Sequence, residues 1–382
     1  MSTIKASNIQ NGSSASVNIA LNTDGSATFA QMPVPPSPYA MRNKIINGVM
    51  EIDQRNAGAS GTATGYTVDR WKFASNLTTK GTWQQNAGSV TAPAGFAKYL
   101  GFTSNSAYSV ASGDYFAFVQ PIEGLNVLDF AWGTASAKTV TLSFWVRSSL
   151  TGTFGGALKN YDSTRSYPFT YTISAANTWE FKTVTIPGDT SGTWLTTNGI
   201  GVEVLLAFGV GSTYSGTAGA WASTNYISAT GATSVVGTNG ATFYITGVQL
   251  EVGSVATPFE RRLYPQELAM CQRYYQTYNA TTWGFPLFIT YVPNGDTRGG
   301  FSFVVTMRSA PTVTFSSNSW QLISVGDAGA TVNNSATVSV AGSTINGFAI
   351  NVTNPSTFSP SSGTAAVWGT NGSITYYASA EI

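Results

Sequence analysis

Long runs of two-residue alternation constrain this chain more than any other feature. From Thr139 to Arg147 the apolar Val140, Leu142, Phe144 and Val146 share one face, and Thr139, Thr141, Ser143, Trp145 and Arg147 share the other. Ile200, Val202, Val204, Leu206 and Phe208 repeat the pattern. Successive side chains of a strand point to opposite faces, so such runs predict half-buried β-strands. Between Phe243 and Leu250 the apolar phase slips by one at Thr246-Gly247, which predicts a β-bulge. Turn clusters such as Thr190-Ser191-Gly192 and Thr238-Asn239-Gly240 punctuate the region. Antiparallel strands at this spacing over 43–262 predict a jelly-roll sandwich. Alternation at Phe301, Phe303, Val305 and Met307, at Phe348, Ile350 and Val352, and at Ile374, Tyr376 and Ala378 predicts a second, smaller C-terminal β-sandwich over 282–382. The expected fold class is all-β.

Two segments break the pattern. Over 263–281 Pro265 suits a first helical turn, and Leu268, Cys271, Tyr275 and Tyr278 recur at spacings of three, four and three. This predicts a connecting helix whose seam lies at a trimer axis, with a helix packed on its own domain as the alternative. Residues 1–42 hold short strand-like pieces such as Val17 to Leu21, then four prolines between Pro33 and Pro38. They read as an attachment arm with a stiff, extended spacer.

Composition narrows the function. The chain has no histidine, so histidine-based proton transfer, metal ligation and Ser-His-Asp catalysis are excluded. Lone Cys271 forms no intrachain disulfide. A net charge of +1 without basic clusters argues against nucleic acid, and the lack of any 18-residue apolar run argues against membrane insertion. Residues 1–20 show no signal-peptide pattern, so synthesis in a cytoplasm is expected. Charged residues make up 9% and aromatics 13%, a composition suited to surfaces that meet sugars.

Asn43-Lys44-Ile45-Ile46-Asn47-Gly48-Val49-Met50-Glu51 opens the large domain and Phe243-Tyr244-Ile245-Thr246-Gly247-Val248-Gln249-Leu250-Glu251 closes it. These resemble the first and last strands of jelly-roll carbohydrate-binding modules. A wider set of motifs resembles bacteriophage tail-fibre and receptor-binding proteins. It comprises Asn47-Gly48 through Asp53-Gln54-Arg55, Tyr66 through Asp69-Arg70-Trp71, Ile245 through Arg262, Cys271-Gln272-Arg273-Tyr274-Tyr275 and Met307-Arg308-Ser309-Ala310-Pro311. The resemblance implies a virion tail protein, a homotrimer that docks on tail or baseplate proteins through residues 1–40 and adheres to host surface polysaccharide or lipopolysaccharide. It also implies a structural Ca²⁺ near the bracketing motifs. Glu51 matches the acid of the first motif, but Thr246-Gly247 stands where the last motif carries an Asp pair, so no cofactor is assigned and Glu51 is the one metal candidate.

Glycan recognition needs ring faces and placed polar groups. Trp145 and Arg147 on a non-core face, with Glu203 in the facing strand, are expected to line a sugar groove. Tyr108, Tyr161, Tyr167, Tyr214, Trp221 and Tyr226 are loop candidates in the large domain, and Trp283, Tyr291, Trp320 and Trp368 are candidates in the C-terminal one. A polysaccharide depolymerase would need two carboxylates, and Glu51 and Asp53 are the pair that alternation would place on one strand face. The expectation is binding without catalysis. A purely structural baseplate or capsid component is the alternative, and a depolymerase the remote one.

Overall fold

The structure, a computed structural model, describes residues 42–281, 297–316, 319–324, 332–353 and 373–382, with strands at 8–9, 19–21, 27–29, 287–290 and 364–369. The chain divides into two units, 1–42 and 43–382. In the first, β1 (Asn8–Ile9), β2 (Ile19–Leu21) and β3 (Ala27–Phe29) pair as an antiparallel three-stranded sheet. The proline-rich stretch 32–38 lies outside the described residues.

The second unit is built on a two-layer sandwich. One sheet has six strands in the order β11 (Ser166–Ile173), β10 (Gly152–Lys159), β13 (Ile200–Val210), β8 (Tyr115–Glu123), β5 (Lys72–Ser75), β4 (Gly65–Tyr66). The other has five, in the order β12 (Glu180–Ile186), β9 (Val140–Ser148), β16 (Thr242–Val252), β7 (Leu100–Ser104), β6 (Gly81–Gln85). Neighbours within both sheets are antiparallel. The short strands β14 (Ser215–Gly216) and β15 (Ser228–Ala229) pair in parallel with each other, outside both sheets.

Alternation explains the layers. Val140, Leu142, Phe144 and Val146 are fully buried and meet Val204, Leu206 and Phe208 of the facing sheet. Each such side chain contributes about 1.5–3 kcal/mol through burial. Phe102 stacks on Phe208 at 4.2 Å between the sheets. The expected bulge is present: the β16–β9 register shifts between Thr246 and Gln249, and Gly247 has a φ of 60°. The bracketing motifs lie side by side. Asn43 Nδ2 donates to the Val248 carbonyl at 3.2 Å, and a Cβ on Gly48 would sit 2.3 Å from that same oxygen. Only glycine lets the two segments approach so closely.

After the sandwich, α1 (Tyr264–Gln272) begins with Pro265 in its first turn. The helix stops well short of 281. Tyr275–Thr281 form strand β17, paired along its whole length with β25 (Ser373–Ser379). Aromatic and β-branched residues favour that extended state when a partner edge is present. Leu268 and Cys271 are therefore helical and Tyr275 and Tyr278 are not, so the four do not share one helix face. Cys271 is buried against Ile46, Ile52 and Tyr274 of its own chain. β20 (Thr312–Phe315) completes a three-stranded sheet with β17 and β25. The remaining strands, β18 (Leu287–Thr290), β19 (Thr297–Ser302), β23 (Gly347–Thr353), β22 (Val332–Thr344), β21 (Ser319–Ser324) and β24 (Thr364–Gly369), close into a barrel in that order. The C-terminal region is β as expected, and closure removes the open edges of a sandwich. The strand expected through Met307 ends at Ser302; Phe303 and Met307 are buried from a loop held by Asn346 and Ile345 carbonyls at 2.9 and 2.8 Å.

A buried charged joint ties these parts together. Arg70, 1% exposed, pairs with Glu381, donates to the Pro121 carbonyl at 2.6 Å and lies 3.6 Å from the Tyr274 ring centre. Arg55 pairs with Glu381 at 2.9 Å and covers the Tyr275 ring at 3.5 Å. Arg273 binds Glu123 at 2.6 Å, and the Tyr274 hydroxyl donates to the same carboxylate at 2.7 Å. Arg308 donates to the Ala380 and Asn198 carbonyls at 2.8 and 2.6 Å. Charges drawn away from water persist when they are paired or hydrogen-bonded. Burial pushes the Asp69 carboxyl up to about 7, against the opposing effects of the Gln54 amide and the Arg55 charge. Asp69-Arg70-Trp71, Cys271 to Tyr275 and Met307 to Pro311, far apart in sequence, all contribute residues to this joint or its flank.

Candidate functional site

The outer face of the six-stranded sheet carries the site. Its register builds ribs across the strands. One runs Lys159, Glu203, Pro121; the next Ala157, Leu205, Val119, Lys72; the third Gly155, Ala207, Ala117, Ala74. Small and apolar side chains make a low floor with charged groups at its margins. β15 crosses above β10 because Gly155 lacks a side chain: a Cβ there would lie 2.2 Å from Ser228 Oγ and 3.1 Å from the Ala229 nitrogen. The uncovered part is a hollow of about 170 Å³. Ala117, Val119, Leu205 and Ile227 form its apolar bed, and Lys72, Tyr115, Lys159, Glu203, Tyr214 and Asn225 stand around it.

The rim is ordered by its own contacts. Tyr115 and Tyr214 pack edge to face at 5.4 Å. Burial, with the neighbouring Tyr214, raises the Tyr115 phenol above its usual range, so it remains a protonated donor at neutral pH. Lys159 Nζ bonds Glu203 Oε2 at 3.1 Å, Ser163 Oγ at 3.1 Å and Asn225 Oδ1 at 3.5 Å. Rings, a carboxylate, an amide and an ammonium around an apolar bed are the groups that hold a sugar ring by its C–H face and read its hydroxyls. Glu203 is the one carboxylate among the described residues that line the hollow, and it is ion-paired.

The structure separates the residues expected to share a groove. Glu203 belongs to this face, whereas Trp145 and Arg147 lie on β9 of the other sheet, on the opposite outer surface. Alternation tells which side of a strand is wet but not which sheet the strand joins. Trp145 is covered by Phe181 at 5.6 Å, and its Cδ1 lies within 3.1 Å of the position a Cβ on Gly247 would take. Arg147 Nε donates to the Asn177 carbonyl at 2.9 Å. Tyr167 is 6% exposed and packs on Trp221 at 5.2 Å, inside a cluster with Trp132 and Trp194. Trp221 Nε1 is satisfied by the Pro187 carbonyl at 2.8 Å. Tyr167 is thus part of the core, and Trp221, partly buried, packs against it. Trp132 and Trp194 also border a second hollow, of about 230 Å³, but their indole N–H groups donate to the Lys138 and Ser191 carbonyls at 2.8 and 3.0 Å. Tyr161 is 44% exposed in the turn between β10 and β11. Tyr226 packs over Gly216, and its sequence neighbours Asn225 and Ile227 belong to the rim and the bed of the hollow.

In the barrel, Trp320 stands opposite Gly369, and Trp368 opposite Gln321; Trp283 and Tyr291 lie outside the described residues. Lys72, Tyr115, Lys159 and Asn225 are the rim residues that sequence reasoning missed. β8 is apolar on both faces, so Tyr115 shows no alternation, and the lysines reveal themselves only once the register is known.

The oxygens near the bracketing motifs are already occupied. Arg262 donates to the Asn43 carbonyl, to the Ile45 carbonyl at 3.0 Å and to Glu267 at 3.3 Å, and it lies 3.6 Å from Glu260. A guanidinium thus gathers carbonyl and carboxylate oxygens of the kind a hard cation would take. Glu51 is exposed beside this cluster, and no group of three or more acidic or thiol side chains suited to a metal occurs among the described residues. Asp53 is no strand partner of Glu51. Its carboxylate caps a turn, accepting from the Asn56 and Gly58 amides at 3.0 and 2.7 Å.

No protein-family model matches the chain, and no curated protein does. Among solved structures it is similar to the enzymatically active domain of tailspike protein 4 of bacteriophage CBA120 (TM-score 0.31, 12% identity, 55% of this chain and 21% of that one). It is also similar to the carbohydrate-binding module TmCBM61 in complex with β-1,4-galactotriose (TM-score 0.28, 10% identity, 56% and 99%). A third is the family 11 carbohydrate-binding module of a Clostridium thermocellum cellulase (TM-score 0.24, 14% identity, 53% and 100%). The chain spans about a fifth of the length of that tailspike domain. At scores this low the likeness carries no argument about ligand or activity.

Proposed function

We propose that this chain is a glycan-binding adhesin of the bacteriophage tail-fibre kind, which holds host surface polysaccharide or lipopolysaccharide in the hollow on its six-stranded sheet. The observation that carries the reading is the pair of tyrosines, Tyr115 and Tyr214, beside an apolar bed rimmed by Glu203, Lys159 and Asn225. The hollow has room for a sugar ring or two, below the roughly 300–1,000 Å³ of drug-sized sites. Single-site affinity is accordingly weak, and a homotrimer displayed on the virion tail through residues 1–40 supplies avidity by effective concentration. The reading is binding without turnover, and it is supported by the single, ion-paired carboxylate of the hollow, since glycoside hydrolysis canonically uses two. The test is binding of the full chain to whole host cells and to their purified polysaccharide. Tyr214→Ala should lower binding at least tenfold, and Trp145→Ala, on the opposite sheet, should leave it unchanged. Equal binding by wild type and Tyr214→Ala would refute the assignment of this hollow.

A further inference from the structure

We infer that the hollow on the six-stranded sheet selects acidic glycans, with Lys72 as the group that reads the negative charge. The inference rests on the glycan-binding reading above. Two lysines face the hollow, and their circumstances differ. Lys159 is neutralised by Glu203 at 3.1 Å and held by Ser163 and Asn225. Lys72 is half-buried and has no carboxylate within ion-pairing distance among the described residues; its Nζ lies 5.4 Å from the centre of the Tyr66 ring. The carboxylate and two ammonium groups around the bed leave one positive charge unbalanced, at Lys72.

The geometry places that charge where a ring substituent would reach it. Lys72 stands opposite Val119 and Glu203 opposite Pro121 on the two sides of β8. Adjacent strands are about 4.8 Å apart, so the strands that carry them are roughly 10 Å apart, which spans a pyranose lying on Val119 and Ala117. A carboxylate or phosphate on the Lys72 side meets an unpaired ammonium, while hydroxyls on the other side meet Glu203 and Asn225. A charge-assisted hydrogen bond of this kind is stronger than a neutral one. A neutral glycan would leave the Lys72 ammonium partly desolvated and unpaired, and that penalty provides the discrimination.

The experiment is a printed array of purified bacterial polysaccharides in uronate-bearing, phosphate-bearing and neutral groups, probed with full-length protein. Each uronate hit is printed again after chemical reduction of its carboxyls to alcohols. The inference expects hits confined to the acidic groups, loss of the uronate hits on reduction, and weakening of roughly tenfold in Lys72→Gln. Whether uronates or phosphates give the hits identifies the anion. Lys182→Gln, on the other sheet, should bind as wild type and so controls for net charge. Neutral hits of equal strength, or acidic hits unchanged in Lys72→Gln with its melting temperature preserved, would overturn the acidic preference while the glycan reading stood. An array without hits would overturn both.

Discussion

Asp69 shows how one side chain couples this fold to its solution. Burial holds its carboxyl near 7 in the folded chain, against 3.8 for the free side chain. Between those values the folded state binds more protons than the unfolded one, so rising pH favours unfolding. The stabilisation from this group is full below about pH 4 and is lost as pH climbs through 7. Asp69→Asn removes the slope. The urea midpoint of the variant should gain on that of wild type steadily between pH 4.5 and 7.5, and a constant difference would contradict the account. The sequence singled out Asp69-Arg70-Trp71 as part of a wider motif. It did not identify Glu381 as the partner of Arg70, because a contact across 311 positions has no local signature.

At the scale of elements, what was legible was periodicity. β9 and β13 lie where Thr139 to Arg147 and Ile200 to Phe208 alternate, and the β16 bulge lies at the predicted glycine. What was not legible was partnership. Trp145 and Glu203 were read as neighbours, yet sheet order puts them on opposite surfaces. Helix spacing through Tyr275 and Tyr278 was real in the sequence, but pairing with β25 outweighed it. The site likewise depends on an element that sequence reading did not single out, the β14–β15 crossing above β10. Gly155→Val would force Ser228 and Ala229 off the sheet, since even a Cβ meets Ser228 Oγ at 2.2 Å. The expected result is a loss of about 1–3 kcal/mol in stability, as for overpacked cores, together with loss of glycan binding. Retained binding would show that the crossing does not shape the hollow.

For the whole molecule the joint matters most, because it joins the sandwich to α1, β17 and β25. Residues 43–382 should unfold in one cooperative transition. Glu381→Ala, which strips Arg55 and Arg70 of their shared carboxylate, should cost about 3–5 kcal/mol and split that transition in two. A single unshifted transition would show the joint to be dispensable. Trimerisation belongs to the same scale. Cys271 is buried within its own chain and offers no trimer contact; for the proposed trimer, light scattering should give three times the 40.1 kDa chain mass. A stable monomer would remove avidity from the proposal. The central claim is the location of the ligand, and a crystal soaked with an oligosaccharide cut from the host polymer tests it most directly. The account predicts sugar density over Val119 and Leu205, between Tyr214 and the Lys159–Glu203 pair; density over the Trp132–Trp194 hollow or on the five-stranded sheet, with this face empty, would contradict it.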